Sequence, residues 1–313
     1  MRNDEIVVIG GGPAGVGAAA TARNRGASVT LLDEQSAIGG YMRWTLSVQH
    51  GLPPEVDGRR GFELAEMIWN VLYDSGVNVQ LRSTAWGLFE DNVLGIVNPE
   101  SSYQLKADKI IIASGSTDVG VPFPGWELAR VMTARAALIA INVHRVLPGT
   151  RVALVGNGPE APEVRESLEM GGAEVVAHIS DLATFQAGGD GAVEWVTQGD
   201  ERTNVDAIVT VFGSQPDPAL ALQALAQTGY SELSGVHVPL RSATLETTLP
   251  GVYVIGDAAG LCSTAEARAE GLVAAEAAME GDGLEEALEY LAEMRTPERT
   301  AELSRLRPGV AVS

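Results

Sequence analysis

Two glycine loops are the first residues here whose types and spacing could do chemistry. Gly10-Gly11-Gly12-Pro13-Ala14-Gly15 follows the apolar run Ile6-Val7-Val8-Ile9 with Gly-x-Gly-x-x-Gly spacing. Gly10 permits a tight turn, Gly12 lets backbone N–H groups approach a pyrophosphate, and Gly15 lets the next helix pack closely on its strand. Asp33 ends the following apolar run, where a carboxylate can accept both hydroxyls of an adenosine ribose. Glu34 is the alternative one residue on. Strand, loop, helix, strand and terminal acid together specify a dinucleotide site.

The second loop, Gly156-Asn157-Gly158-Pro159-Glu160-Ala161, repeats the first 146 residues further along and closes with the tolerated alanine. The position equivalent to Asp33 is Ile179, flanked by His178 and Ser180, so the ribose acid is missing. No arginine pair follows to hold a 2′-phosphate. Gly156, Gly158, Pro159, Ala161 and His178 are the candidate residues of this second nucleotide site. NAD(P), another adenine nucleotide, and an empty fold all remain open for it.

Elements that could position these loops alternate along the chain. A strand at 6–9, a helix over 16–25 and a strand at 29–32 form one βαβ unit. An amphipathic helix over 61–73 stops at Gly76, before a short strand at 77–81. Short strands at 86–89, 93–97 and 103–106 are separated by turn residues, the pattern of an antiparallel meander, and Ile110-Ile111-Ile112 reads as a buried strand. After the Pro- and Gly-rich linker 120–125, a helix over 133–144 leads to the second βαβ unit, with strands at 151–155 and 174–178. A strand at 207–211, a helix over 219–227, the segment 251–257, an alanine-rich helix over 263–280 and an amphipathic helix around Leu284–Leu291 complete the pattern. The remaining tail, 298–313, reads as a solvated terminus, with partner docking as its alternative.

Composition narrows the function classes. The chain has 313 residues, 45% of them hydrophobic, enough for two cores. A net charge of −20 repels nucleic acid and anionic membranes. No apolar run is long enough for a membrane span and no leader pattern opens the chain, so a soluble, cytoplasmic protein is expected. Cys262 is the single cysteine, so neither an internal disulfide nor a cysteine-ligated cluster can form within this sequence. His50, His144, His178 and His237 have no metal-ligand spacing, and no metal site is expected. Redox chemistry would have to run through a bound cofactor.

The ensemble resembles the glutathione reductase-like flavoproteins with two dinucleotide domains. Four landmarks carry the resemblance: the first loop with Asp33, the turn Ala113-Ser114-Gly115-Ser116, the second loop, and Thr248-Leu249-Pro250-Gly251-Val252-Tyr253-Val254-Ile255-Gly256-Asp257. It implies an α/β fold of two Rossmann-like dinucleotide-binding domains, the second inserted in the first, with antiparallel β-meander insertions. The FAD-binding domain is expected over 1–117 and 245–313, and the second nucleotide domain over 118–244. FAD is the implied cofactor. Asp257 would meet its ribityl chain, with a helix N-terminus near Ala258 facing the pyrophosphate and flavin. Gly10, Gly12, Pro13, Ala14, Gly15, Asp33, Glu34, Gly40, Arg43, Ala85, Ala113, Gly115, Gly256, Asp257 and Ala258 form the implied set.

Finer features are similar to the alpha subunits of opine oxidase, hydrogen cyanide synthase and dye-linked proline or hydroxyproline dehydrogenases. They are Leu32-Asp33-Glu34-Gln35 followed by Gly39-Gly40, the linker Pro122 to Leu128, Val131-Met132-Thr133-Ala134, and Val238-Pro239-Leu240-Arg241. This implies a heteromer in which a second flavoprotein of amino-acid oxidase type oxidises the substrate C–N bond, with electrons passing onward, for instance to a separate iron–sulfur protein. Two departures stand out: Tyr41 follows the glycine pair where relatives often carry Gln, and the cysteine-ligated [2Fe-2S] extension of several relatives is missing. Disulfide reductases of the group place a cysteine pair against the flavin, which this sequence lacks. Three readings stay open: the FAD-binding alpha subunit of such a heteromer, a self-contained NAD(P)H-dependent reductase of a protein or quinone, and a non-catalytic nucleotide-binding component.

Overall fold

The computed structural model describes residues 2–308. They form two compact units, the first of residues 2–43, 48–116 and 215–308, the second of Trp44–Ser47 and Thr117–Ser214. Among the described residues no helix is long and apolar enough to cross a membrane, and no His/Cys/Asp/Glu group could hold a metal ion.

The first unit is built on a seven-stranded sheet. Its elements in chain order are β1 (Arg2–Ile9), α1 (Pro13–Asn24), β2 (Val29–Leu32), α2 (Gly61–Ser75), β3 (Asn78–Gln80), β4 (Thr84–Phe89), β5 (Val93–Val97) and β6 (Ser102–Ile112). Strand order is β3-β2-β1-β6-β5-β4, and Val252–Val254 also pairs with β6. The β3-β2-β1-β6 ladder and the Val252–Val254 pairing are parallel, while β4-β5-β6 is an antiparallel meander. β6 does both jobs. Its first half pairs with β5, and Ile110–Ile112 pair with Val252–Val254. The two strands expected at 103–106 and 110–112 are therefore one, since Ala107-Asp108-Lys109 continues the extended chain between them.

Strand alternation divides the core of this unit. Ile6, Val8, Leu31, Ile111 and Tyr253 pack with the small residues of α1 and helix Thr264–Ala278, including Ala14, Ala18, Ala22, Ala267 and Ala274. Val7, Leu32, Leu105, Ile110, Ile112 and Val254 form a second cluster with Leu88 and Leu94 of the meander. Burial on both faces is what parallel strands require. The two helices approach closely because glycines meet backbone: a Cβ on Gly271 would lie 2.3 Å from Ala14 O.

Residues 215–244, given to the second domain on sequence grounds, pack with the first unit. Ala221 and Ala226 join the Leu88 cluster. Gln223 Oε1 accepts from Leu88 N at 3.2 Å. The hairpin Thr228–Ser231 and Val236–Pro239 lies in the same unit, and the helix expected over 219–227 is the shorter Ala219–Gln223.

The second unit carries a four-stranded parallel sheet, in the order Glu174–Ile179, Arg151–Val155, Ala207–Thr210, Val131–Thr133. Helix Ala161–Met170 follows the second glycine loop. Three antiparallel strands, Phe185–Gly188, Trp195–Gln198 and Glu201–Asn204, form a further sheet.

The tail departs from expectation. Thr296 caps a new helix, Pro297–Arg305, by accepting Arg299 N on its side chain at 3.2 Å. Arg299 and Glu302 of that helix are buried, at 4% and 8% exposure, so it is an anchored element. The tail residues 309–313 lie outside the described residues.

Candidate functional site

The first loop leaves β1 at Gly10, whose positive φ of 104° suits glycine, and a Cβ there would lie 2.2 Å from Ala113 O. The turn 113–116 is thus pressed against the loop, with Ala113 N donating to Ile9 O at 2.8 Å. Gly115 O accepts from Asp217 N at 3.0 Å and Ser114 Oγ donates to Asp217 O at 2.7 Å, which fixes that turn. α1 starts at Pro13 with Gly12 as its cap, so the N–H groups of Ala14 and Gly15 lie in its first turn, where helix donors lack intrahelical partners.

Asp33 follows β2 and is 8% exposed. Gly11 N donates to its Oδ2 at 2.7 Å and Gln35 N to its Oδ1 at 2.8 Å. Burial raises its pKa above the ordinary carboxylate value; the two backbone donors and the Arg43 charge pull it back down. Each oxygen keeps acceptor capacity for a further hydroxyl. Glu34 is exposed and accepts from Gln35 Nε2. Ser83 N donates to Asp33 O at 2.9 Å, tying the start of β4, and hence Ala85, to the same corner.

Gly39-Gly40 closes over the loop: Gly39 N donates to Gly11 O at 2.7 Å, and a Cβ on Gly40 would stand 3.0 Å from Gly12 Cα. Tyr41 Oη lies 3.3 Å from Gln49 Oε1 and within hydrogen-bond reach of Thr264 Oγ1, which also donates to Gln49. Tyr41 thus ties this segment to the start of the long alanine-rich helix.

The segment Gly256–Asp257 arrives from the other side of the sheet centre. A Cβ on Gly256 would touch Ala14 Cβ at 2.9 Å, so the start of α1 and this turn adjoin. The helix N-terminus expected near Ala258 is instead a single 3-10 turn, Gly256–Ala259; the α-helix begins at Thr264, capped by Ser263. Asp257 Oδ2 accepts from Ser116 Oγ at 3.2 Å and its Oδ1 from Cys262 N at 3.1 Å. Cys262 Sγ lies 3.7 Å from the same oxygen, and burial, with the Asp257 charge, pushes that thiol's pKa well up. A protonated, half-buried thiol is a poor nucleophile.

Beneath the turn lies an ionic lattice that sequence reading missed. Glu270 accepts from Arg241 at 2.8 and 3.1 Å, from Arg295 at 2.9 Å and from Gly256 N at 2.9 Å. Burial alone would raise its pKa; Arg241 and then Arg295 outweigh that and hold it at about 2. Arg299 donates to Ala259 O and Gly260 O at 3.3 and 3.0 Å, and to Glu302 at 3.2 Å. Charges buried this way fix geometry and are costly to break singly.

The second loop is arranged differently. Its helix begins at Ala161, two residues later than α1 begins relative to its own loop. Ile179 is buried at 5% exposure, and His178 Nε2 lies 3.0 Å from Gly156 O. Trp195 lies under Arg202, 4.4 Å from guanidinium carbon to ring centre.

Among the expected first-site residues, the structure groups Gly10, Gly12, Pro13, Ala14, Gly15, Asp33, Gly40, Ala113, Gly256 and Ala258 around one corner of the sheet. Glu34 points to solvent. The small loop with its N–H donors, the half-satisfied buried acid, and the second acid tied across from it form a set of donors and acceptors suited to a flavin adenine dinucleotide. Fold and site define an FAD-dependent oxidoreductase with two dinucleotide-type domains.

The chain belongs to the pyridine nucleotide-disulphide oxidoreductase family, whose model matches residues 4–185. It is 26% identical to the A subunit of opine oxidase from Agrobacterium tumefaciens (strain Ach5), over 88% of this chain and 65% of that protein. It is also 26% identical to the alpha subunit of sarcosine oxidase from Rhizobium meliloti (strain 1021), over 90% of this chain and 31% of the relative. Among solved structures, L-proline dehydrogenase from P. horikoshii superposes with a TM-score of 0.80 at 23% identity, covering 98% of this chain and 59% of that one. The chain spans less than two thirds of the length of each of these proteins.

Proposed function

We propose that this chain is the FAD-binding alpha subunit of a heteromeric amine or amino-acid dehydrogenase, passing electrons while a partner flavoprotein oxidises the substrate C–N bond. The observation that carries the reading is the contrast between Asp33, a buried carboxylate bonded to its own glycine loop, and Ser180, an exposed hydroxyl at the same place in the second unit. Leu32 pairs with Ile9 as Ile179 pairs with Val155, so a register shift in the second unit moves the equivalent position one residue past the expected Ile179. The first unit has the acid that a dinucleotide ribose needs, and the second does not. Similarity to subunits of opine and sarcosine oxidases supports the heteromer.

In this reading the N–H groups of Gly12, Ala14 and Gly15 bind the pyrophosphate, Asp33 accepts the adenosine ribose hydroxyls, and Asp257 accepts a ribityl hydroxyl. Ser116 and Cys262 hold the Asp257 carboxylate in place, and Glu270 with its arginines keeps the Gly256 turn from moving. When bound, the flavin supplies reversible two-electron and one-electron chemistry. No dithiol relay is available, since Cys262 is the single cysteine and its thiol stays protonated. In this reading electrons leave to another subunit, for example to an iron–sulfur protein.

The test is to tag the chain in its source cell, purify the native assembly and add N-substituted amino acids anaerobically. Bleaching of bound flavin by such a compound, with a second flavoprotein in the assembly, is the expected result. A monomeric chain whose flavin is reduced by NADH and by no amino compound would favour the self-contained reductase, the reading that family membership alone suggests.

A further inference from the structure

We propose that Glu160 decides what the second glycine loop accepts: its carboxylate occupies the phosphate-facing side of Gly158 and turns away dinucleotides and other phosphate-bearing ligands. The proposal deepens the reading of the second unit given above.

The two loops differ at the glycine that should let a pyrophosphate come close. A Cβ built on Gly12 meets open space, the nearest atom being Gly40 Cα at 3.9 Å. A Cβ built on Gly158 would lie 2.5 and 2.6 Å from the two Glu160 carboxylate oxygens and 2.5 Å from Gly213 N. The space is filled by the chain's own anion. Gly213 N donates to Glu160 Oε1 at 2.8 Å, so the carboxylate has taken a backbone donor that a phosphate oxygen could otherwise use.

Two of the loop's own donors are bonded within the protein. Gly158 N donates to Val211 O at 2.6 Å and Ala161 N to Gly158 O at 3.1 Å. A second acid, Glu163, stands in the first turn of the helix and accepts from Thr45 Oγ1, Leu46 N, Ser47 N and Ser47 Oγ. A helix N-terminus normally attracts anions. Here two resident carboxylates put negative charge at that end of the helix, so an incoming pyrophosphate would face like charge and find Gly213 N already bonded. Sequence spacing alone makes this loop a fingerprint; the Glu160 side chain makes it a plug.

The test uses the whole chain saturated with FAD, so that the first loop is blocked, and ADP as the probe in equilibrium dialysis. Three proteins are compared: wild type, Glu160→Gln, which keeps the volume and removes the charge, and Glu160→Ala, which removes both. Wild type should show no saturable binding below the millimolar range. Glu160→Ala should bind at least about tenfold tighter, the scale of one removed like-charge contact, with Glu160→Gln between them. Unchanged ADP affinity across the three proteins, or submillimolar binding by wild type alone, overturns the role of Glu160. Flavin content and far-UV circular dichroism verify folding of the variants, and the wild-type measurement decides even if a variant fails to fold. Failure of the subunit reading would show elsewhere, as a native preparation of the chain with no second flavoprotein in it.

Discussion

Replacing Gly12 by alanine should separate cofactor binding from folding. Gly12 has φ −78° and ψ −174°, ordinary extended backbone that alanine adopts, and the new methyl would meet no protein atom closer than 3.9 Å. Alanine is a poorer helix cap than glycine but lowers the entropy of the unfolded chain, so the cofactor-free protein should change by less than about 1 kcal/mol. That corresponds to a shift in Tm of at most about 4 °C for a chain of this size. The methyl nevertheless projects where a pyrophosphate must come close. Displacing one or two charge-assisted hydrogen bonds costs about 3 kcal/mol, a Kd for FAD weakened about a hundredfold. The assay is quenching of FAD fluorescence on titration into cofactor-free protein, paired with a thermal melt of the same sample. Gly10→Ala is the control with the opposite signature: its Cβ would lie 2.2 Å from Ala113 O, so it should damage folding itself. A Gly12→Ala protein that holds FAD within about threefold of wild type would refute the assignment of this loop.

Other outcomes follow from the same geometry. Asp257→Ala should lose flavin on gel filtration, whereas Ile179→Ala should cost about 2–5 kcal/mol in a denaturant melt and leave the flavin spectrum unchanged; equal flavin loss in both would contradict the two-site assignment. Glu270→Gln leaves Arg241 and Arg295 without their buried counter-charge and should destabilise by about 3–5 kcal/mol. Because the folded pKa of Glu270 is depressed to about 2 from 4.5, its stabilisation is complete above pH 4.5 and is lost as pH falls toward 2. A shift of that size is worth about 3 kcal/mol, and Glu270→Gln should show a shallower acid limb by that amount when Tm is followed against pH. Asp33 and Glu266, both raised chiefly by burial, act in the opposite sense as pH falls, while Asp57, Asp206 and Glu302, all lowered, act in the same sense and remain in the variant. Cys262→Ala should leave flavin reduction rates unchanged in stopped flow, since the thiol takes no electrons.

The first site was legible in the sequence because its parts are local: glycine spacing, an acid ending the next strand, and an apolar run into Gly256-Asp257. Much of the sheet was legible for the same reason, from apolar runs of strand length between turn residues. What escaped was set by distance along the chain. Arg241 and Glu270 are 29 residues apart, and Ser231 reaches Glu302 across 71, so no local pattern marks the lattice. The helix at Pro297 escapes a reading that treats Thr-Pro as an ending, although a capping threonine followed by proline at the first helical position is equally a start. The strands between Phe185 and Asn204 were hidden in a polar stretch holding Gly188, Gly189 and Gly191 and strands of four residues each. The later start of the second helix and the Glu160 rotamer had no signal beyond an acid inside a glycine loop, which is a cue worth reading.

The central claim is tested most directly by one anaerobic absorbance experiment on the purified chain, with NADH and NADPH added in separate cuvettes. The account predicts a flavin band near about 450 nm that stays oxidised with both, because the second unit offers neither a ribose acid nor an open phosphate cradle. Rapid bleaching by either nicotinamide would contradict it and make the chain a reductase in its own right.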